Sequence, residues 1–410
     1  MGVREYFAVL LGVLLIGVFP AFAQEAEEAP QPDFRIVAHY SSYSIYQDEL
    51  ITEVPAGRIT HLIYGPVGIS DNSQCESTDE WADTGFKYPG DAENERNAGN
   101  FKQLELIKED NPDLQVIMSI GGWENSVLFS EVAADEDLRV RFVRSCLAYM
   151  RQHDFDGINI DWRYPVAGGL ADGKAEDADN FRLLLADFRG QVDYWAEQDE
   201  TDYVLTLNAP AVPELHEVFR PDLQQEFVDW MNLTTYGYHG SWSDITGHVA
   251  PLYGDTRDPR GEEVHVGFHV DGTVNAYLDY GVPADKLVIG IAFYGQAWRD
   301  VRDGDLFGLY ELNGGVPDGT REVGTLYYRD VLRLLENDSY VQFYDDISEA
   351  AWLYNEDRRI AISYENLESI QMKTDYIRDL ELGGAFLWEI LYDTEDFALF
   401  SAIEQDLGDE

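Results

Sequence analysis

Residues 155 to 165 read FDGINIDWRYP. In an extended strand, side chains alternate between faces, so Asn159, Asp161 and Arg163 share one face, while Ile158, Ile160 and Trp162 share the other. Asp156 opens the stretch. A file of polar groups on one face of an apolar strand is costly unless the groups are paired or put to use. The pattern is that of a strand ending in a row of catalytic carboxylates, yet its last position holds Arg163. A guanidinium accepts no hydrogen bond and stays charged to a pH above ~12, so it cannot donate a proton usefully at neutral pH. Beside Asp161 its simplest state is an ion pair.

Two other stretches carry chemistry. SIGGW (119–123) places two glycines after an apolar run, which allows a tight turn and close approach of a ligand to the backbone. TTYGYHG (234–240) follows another run. The aromatics Trp123, Tyr236, Trp242, Tyr294 and Trp388 are expected on loops or strand ends, where together they could line a cleft. Trp162 is expected to face helices. Glu124 and Glu389 are the carboxyl groups that could substitute as proton donors.

The elements that must hold these residues are short apolar runs: Arg35–His39, Thr60–Tyr64, Gln115–Ile120, Gly157–Asp161, Tyr203–Leu207, Trp230–Thr235, Leu287–Phe293 and Ala385–Trp388. Continuous apolar runs predict strands covered on both sides, as in parallel sheets. Helical stripes lie between them. Leu138, Phe142, Val143, Cys146, Leu147 and Met150 form one; Phe181, Leu184, Leu185, Phe188, Val192 and Trp195 form a second; Leu367, Ile370, Tyr376 and Ile377 form a third. Eight strands alternating with helices predict an α/β fold, a (β/α)8 TIM barrel spanning 34–404. A doubly wound open sheet is the alternative, weakened because no GxGxxG follows a strand. Between the seventh and eighth runs, residues 300–362 alternate aromatic and polar residues and predict a small α+β insertion.

The 410-residue chain carries 78 Asp plus Glu against 28 Lys plus Arg, a formal charge of −50. That excludes duplex nucleic acid as a ligand, which needs a basic patch. No metal-ligand spacing occurs, and no cofactor is implied. Arg4, the apolar run Phe7–Phe19 and Ala21-Phe22-Ala23 describe a cleavable signal peptide over 1–23; a membrane anchor is the alternative, for which the run is short. Residues 24–33 read as an acidic linker. A secreted or periplasmic protein, monomeric and free of the membrane after cleavage, is expected. Cys146 lies on an apolar helix face and is expected to be a buried thiol; whether it pairs with Cys75 does not follow from spacing.

Together these stretches resemble glycoside hydrolase family 18, the chitinase family. The family's signature is SxGG on the third strand, DGxDxDxE on the fourth, MxYD after the sixth, YGR after the seventh and a Trp ending the eighth, and this chain matches it in part. The resemblance extends from Tyr40 to about Asp393, with further similar stretches HGSWSDITGHVAPLY (239–253), KLVIGIAFYG (286–295) and GGAFLWE (383–389). It implies a retaining mechanism in which the substrate's own acetamido group attacks the anomeric carbon. The motif's Glu protonates the leaving oxygen, an Asp two residues earlier holds the acetamido group, a Tyr after the sixth strand bonds its carbonyl, and the final Trp floors the sugar. Here the acid position is Arg163 and the middle aspartate is replaced by Asn159. Asp156, Asp161, Tyr236 and Trp388 are kept, Gly237 replaces an Asp, Thr234 replaces Met, and Gln296 replaces Arg.

The resemblance therefore implies a secreted chitinase-like protein without an intact acid. It would bind chitooligosaccharides or other N-acetylated glycans through Tyr40, Trp123, Asp161, Tyr236, Trp242, Tyr294 and Trp388. The alternatives are a hydrolase acting through Glu124 or Glu389, and a scaffold whose pocket Arg163 fills; a binder whose Arg163 attracts an anionic sugar is disfavoured because Asp161 is the nearer partner.

Overall fold

The protein is a computed structural model that describes residues 34–92, 98–302, 304–336 and 339–408. The signal-peptide and linker segments lie outside the described residues. Eight parallel strands close into a barrel: β1 (Arg35–Ser41), β2 (His61–Ile69), β4 (Gln115–Gly121), β5 (Gly157–Asp161), β6 (Val204–Ala209), β7 (Trp230–Leu233), β8 (Leu287–Ala292) and β14 (Gly384–Trp388). Closure comes from the β1–β2 and β1–β14 pairings, with Val37 opposite His61 and Phe386 respectively. Each strand corresponds to one apolar run of the sequence, and the open-sheet alternative falls on this closure.

Between strands, helices cover the barrel. The helix Glu136–Gln152 starts at Asp135, whose carboxylate accepts from the Leu138 amide at 3.0 Å, and buries Phe142, Val143, Cys146, Leu147 and Met150. The helix Asp177–Asp199 buries Phe181, Leu184, Leu185, Phe188 and Val192, while Trp195 is half-buried beneath the Arg151 guanidinium. Each fully buried large apolar side chain contributes ~1.5–3 kcal/mol, so the outer shell dominates stability. Trp162 belongs to it, stacked on Phe129 with ring centroids 5.3 Å apart. The barrel interior holds a smaller apolar plug of Val37, Ile63, Ile117, Trp230, Val288 and Phe386.

Two features depart from the expectation. Cys146 is not a thiol: it is disulfide-bonded to Cys75. Cys75 lies on β3 (Cys75–Ser77), a short strand folded antiparallel onto β2, and the bond ties this hairpin to the helix Glu136–Gln152. The apolar setting of Cys146 is real, but a buried cysteine and a buried disulfide look alike in sequence.

The insertion is also longer than 300–362. It begins with β9 (Tyr294–Trp298), separated from the end of β8 at Ala292 only by Phe293. The rest comprises β10 (Thr325–Tyr327), the helix Tyr328–Leu335, β11 (Val341–Asp345), β12 (Ala350–Asn355) and β13 (Ile360–Tyr364). These strands form a five-stranded antiparallel sheet in the order β10-β9-β13-β12-β11. Because β8 and β9 form one nearly unbroken apolar run, the sequence hides the point where the chain leaves the barrel. At the other end, the helix Ala398–Leu407 carries the fold past 404.

Candidate glycan-binding cleft

The carboxyl ends of the barrel strands open into a cleft of about 1180 Å³. This exceeds what a drug-sized ligand needs and can hold an oligosaccharide.

At the end of β4, Gly121 has φ +107°, and a Cβ there would fall 2.4 Å from the Asp161 carbonyl oxygen. Only glycine permits that approach. The Gly122 amide donates to the same carbonyl at 2.8 Å. Ser126 then ties the two loops together. Its hydroxyl donates to Gly122 O at 2.7 Å and accepts from the Arg163 amide at 2.9 Å. The end of β5 is therefore fixed against the end of β4.

Along the inward face of β5 the polar residues form a ladder. Asn159 is fully buried; its Nδ2 donates to Ser119 Oγ at 2.9 Å. Its Oδ1 accepts from Thr206 Oγ1 at 2.8 Å and from Asn232 Nδ2 at 3.3 Å. Asn232 Oδ1 accepts from the Trp230 indole at 2.9 Å. This network is neutral, and Asn159 satisfies both its donor and acceptor ends within it.

One turn higher, Arg163 Nε donates to Asp161 Oδ1 at 2.8 Å. Asp161 is 5% exposed as a residue, while the Arg163 side chain is 18% exposed. Burial alone would lower the Arg163 pKa, but the charge of Asp161 and the hydroxyls of Tyr164 and Tyr236 outweigh it and push it up. The guanidinium carbon lies 5.9 Å from the Trp388 ring centroid, within cation–π range.

Trp388 ends β14 and forms the floor, with His39 4.3 Å away and Tyr236 stacked at 6.4 Å. Tyr236 also meets Tyr294 edge-on at 6.2 Å. A Cβ at Gly290 would come within 2.7 Å of the Tyr236 ring, so this glycine makes the space the ring occupies. The Tyr236 hydroxyl has no hydrogen-bond partner among the described residues, and burial holds it protonated, its pKa well above the usual value. Trp123, 47% exposed, and Trp242, 72% exposed, line the outer walls.

Tyr40 does not belong to the cleft. It is 1% exposed, its hydroxyl donates to the Glu49 carbonyl at 2.9 Å, and its ring stacks on Tyr64. Period-two alternation explains the correction: Val37 and His39 point into the barrel, so Tyr40 points at the helices. Asp156 is likewise separate from the cleft. It sits before the amino end of β5, accepting from Lys108 Nζ and the Val116 amide at 2.9 and 2.8 Å. It fastens the strand at the opposite end of the barrel.

Of the two substitute acids, Glu389 lies beneath the floor. Its carboxylate accepts from the Ser41 amide at 3.2 Å and Ser41 Oγ at 2.7 Å, from Arg321 Nη1 at 3.3 Å and from Tyr392 at 3.2 Å. Burial raises its pKa, opposed by Arg321 and Ser41. Glu124 is exposed on the cleft wall. Sequence reasoning missed His39, Tyr43, Asp79, Arg321 and Glu322, all of which line the cleft. His39 is kept neutral, with its pKa lowered to about 3 by burial and by Arg163 and Arg321. It carried a usable sign, since it alternates with Val37 on an inward face. Arg321 and Glu322 come from the insertion, where no local pattern marks them. Among the described residues no cluster of three His, Cys, Asp or Glu is placed to hold a metal.

A closed eight-stranded barrel with aromatic walls and a polar file at the end of its fourth barrel strand defines a glycoside-hydrolase-like cleft. Residues 35–393 match the model of the glycosyl hydrolases family 18, and the chain belongs to that family. It is 32% identical to "Chitinase A1" of Niallia circulans over 94% of this chain, which spans 60% of that relative's length. It is 30% identical to "Chitinase 1" of Aphanocladium album, covering 95% of this chain and 89% of that one. Among solved structures, the chitinase ChiA74 from Bacillus thuringiensis superposes with a TM-score of 0.85 at 29% identity, covering 92% of this chain and 70% of that one. The Ostrinia furnacalis Group IV chitinase in complex with allosamidin does so with a TM-score of 0.81 at 26% identity, covering 91% and 98%.

Proposed function

We propose that this protein binds chitooligosaccharides or related N-acetylglucosamine-containing glycans in the cleft and does not hydrolyse them. The observation that carries this reading is the Arg163–Asp161 ion pair at 2.8 Å. In the family motif the position of Arg163 belongs to the proton donor. A general acid is worth ~10²–10⁴ in rate, and a permanent cation supplies none of it. Binding is supported by the aromatic surface: Trp388, Tyr236 and Tyr294 meet at the floor, with Trp123 and Trp242 on the outer walls. The unpartnered Tyr236 hydroxyl fits an acetamido carbonyl.

A hydrolase acting through Glu389 is disfavoured because that carboxylate is engaged by Ser41, Arg321 and Tyr392 and does not face the cleft. Glu124 stands on an exposed wall in contact with water, not in the dry setting that tunes a general acid. The segment 1–23 and the Cys75–Cys146 disulfide both fit export to an oxidising compartment.

The test has two arms. Calorimetry with chitotetraose is expected to show one-to-one saturation that Trp388→Ala abolishes; no heat at millimolar ligand would leave only a scaffold. Incubation with a chromogenic chitooligosaccharide is expected to give no turnover. Turnover abolished by Glu124→Gln or Glu389→Gln would overturn the proposal.

A further inference from the structure

The Arg163 guanidinium is only partly used by the protein. Asp161 takes Nε, and the Ser126 hydroxyl takes the backbone amide of Arg163, not its side chain. Among the described residues Nη1 and Nη2 have no hydrogen-bond or ion-pair partner, and the side chain lines the cleft. The outer edge of the fork, with one outward N–H from each Nη, belongs to the cleft lining, the guanidinium carbon 5.9 Å from the Trp388 ring centroid. That edge matches a carboxylate in the end-on bidentate geometry. The Tyr236 hydroxyl, buried and without a partner, is another donor on the same floor.

The neighbouring charges leave this fork available. Arg321 is turned toward Glu389 and Tyr392, so the two buried carboxylates are divided between two arginines. His39, between them, is neutral. The floor is thus balanced, and the donors left over exceed the acceptors. A neutral N-acetylated sugar offers one carbonyl to these donors. A sugar bearing both an acetamido group and a nearby carboxylate offers enough acceptors for both Tyr236 and the Arg163 fork. The acids at the rim, Asp79, Glu124 and Glu322, oppose an anion. Glu124 and Glu322 are exposed and Asp79 is half-buried, and salt screens such solvent-facing charges. A directly hydrogen-bonded charge pair on a dry floor is screened much less.

We propose that the preferred ligand is an acidic N-acetylhexosamine glycan, whose carboxylate the outer edge of Arg163 grips. This rests on the glycan-binding reading and sharpens it. The carboxylate has two chemical sources: a uronic acid alternating with the amino sugar, or a lactyl ether on the amino sugar itself.

The experiment is titration calorimetry of the full chain in buffer of physiological ionic strength with three probes: chitotetraose, a hyaluronan hexasaccharide, and a disaccharide of N-acetylglucosamine and N-acetylmuramic acid. One acidic probe is expected to bind at least about tenfold more tightly per occupied site than the neutral one, and which one identifies the source. Arg163→Gln is expected to bring the ratio of acidic to neutral affinity to about one. Arg163→Lys, which keeps the charge and loses the fork, is expected to leave only part of it. Chitotetraose binding as tightly as the tighter of the two acidic probes, or a ratio unchanged in Arg163→Gln, overturns this inference and leaves the glycan-binding proposal standing. Failure of all three probes overturns both.

Discussion

The most informative perturbation is the double substitution Arg163→Glu with Asn159→Asp. A glutamate at 163 is shorter than arginine, and its carboxyl group falls near the present position of Nε, which is 2.8 Å from Asp161 Oδ1. Two carboxyl groups at that distance cannot both ionise; they share a proton, and one pKa is strongly raised. A protonated acid would then stand above Trp388 near neutral pH. At 159 the new carboxylate keeps the bonds from Thr206 at 2.8 Å and Asn232 at 3.3 Å, and the Ser119 hydroxyl can turn from acceptor to donor. Because position 159 is fully buried, a charge there is costly, so the introduced aspartate is expected to share the proton of the pair above it.

Restoring one general acid is worth ~10²–10⁴ in rate. The expected outcome is hydrolysis of a fluorogenic chitobioside by the double variant at least about 10²-fold above the parent, with a bell-shaped pH profile reporting the coupled pair. Circular dichroism and a melting curve must show the variant folded. A folded double variant that binds chitotetraose but turns over no faster than the parent would refute the claim that Arg163 is what silences the cleft. Brisk turnover by the parent would refute it more directly.

The remaining predictions concern binding and stability. Trp388→Ala removes the floor against which His39, Tyr236 and Arg163 are arranged; chitotetraose affinity is expected to fall at least about 30-fold, as for a buried aromatic anchor, read by calorimetry. Asp345 is pushed up by burial but held down to about 2 by His248, the Ile347 amide and Arg257. A depressed carboxylate contributes stability above its unfolded value of ~4 and loses it as pH falls toward 2, so acid unfolding should steepen in that window by up to ~2–3 kcal/mol. Asp345→Asn should flatten it. The Cys75–Cys146 bond closes a 71-residue loop, worth ~4 kcal/mol by loop entropy; reduction should lower Tm by several degrees in a scanning-fluorimetry comparison, with the barrel still folded. Lys373→Ala leaves Glu365, its buried partner, without a counter-charge, and is expected to cost ~3–5 kcal/mol in denaturant unfolding.

All eight barrel strands were legible because each is an apolar run covered on both sides, a pattern that depends on neighbours in sequence alone. The inward file of β5 was legible for the same reason: alternation put Asn159, Asp161 and Arg163 together and Trp162 against Phe129. The errors arise where the strand's phase was not followed or where the partner is remote. Tyr40 is aromatic and near the cleft in sequence, but one residue out of phase with His39. Asp156 belongs to the motif by spacing, yet strand length carries it to the other end of the barrel. Arg321 reaches the cleft from a sheet inserted between β8 and β14, and its relation to Glu389, 68 residues on, has no local sign.

The substitutions at 159 and 163 are best understood as one electrostatic unit. With Asp161 fixed, a glutamic acid at 163 and an aspartate at 159 would place up to three negative charges on one buried file, tolerable only if protons are shared along it. A permanent cation at 163 ends that sharing, because it pairs directly with Asp161 at 2.8 Å. A carboxylate at 159 would then be a lone buried charge beneath a balanced pair, among groups that are all neutral amides and hydroxyls. Asparagine removes that charge and supplies the donor that Ser119 Oγ accepts. The coupling has a measurable sign. Asn159→Asp in the parent background should destabilise the fold by more than it does beside Arg163→Glu, where the proton relay is restored. A double-mutant cycle of unfolding free energies reads the difference directly, and additive effects within ~0.5 kcal/mol would show that the two positions act independently.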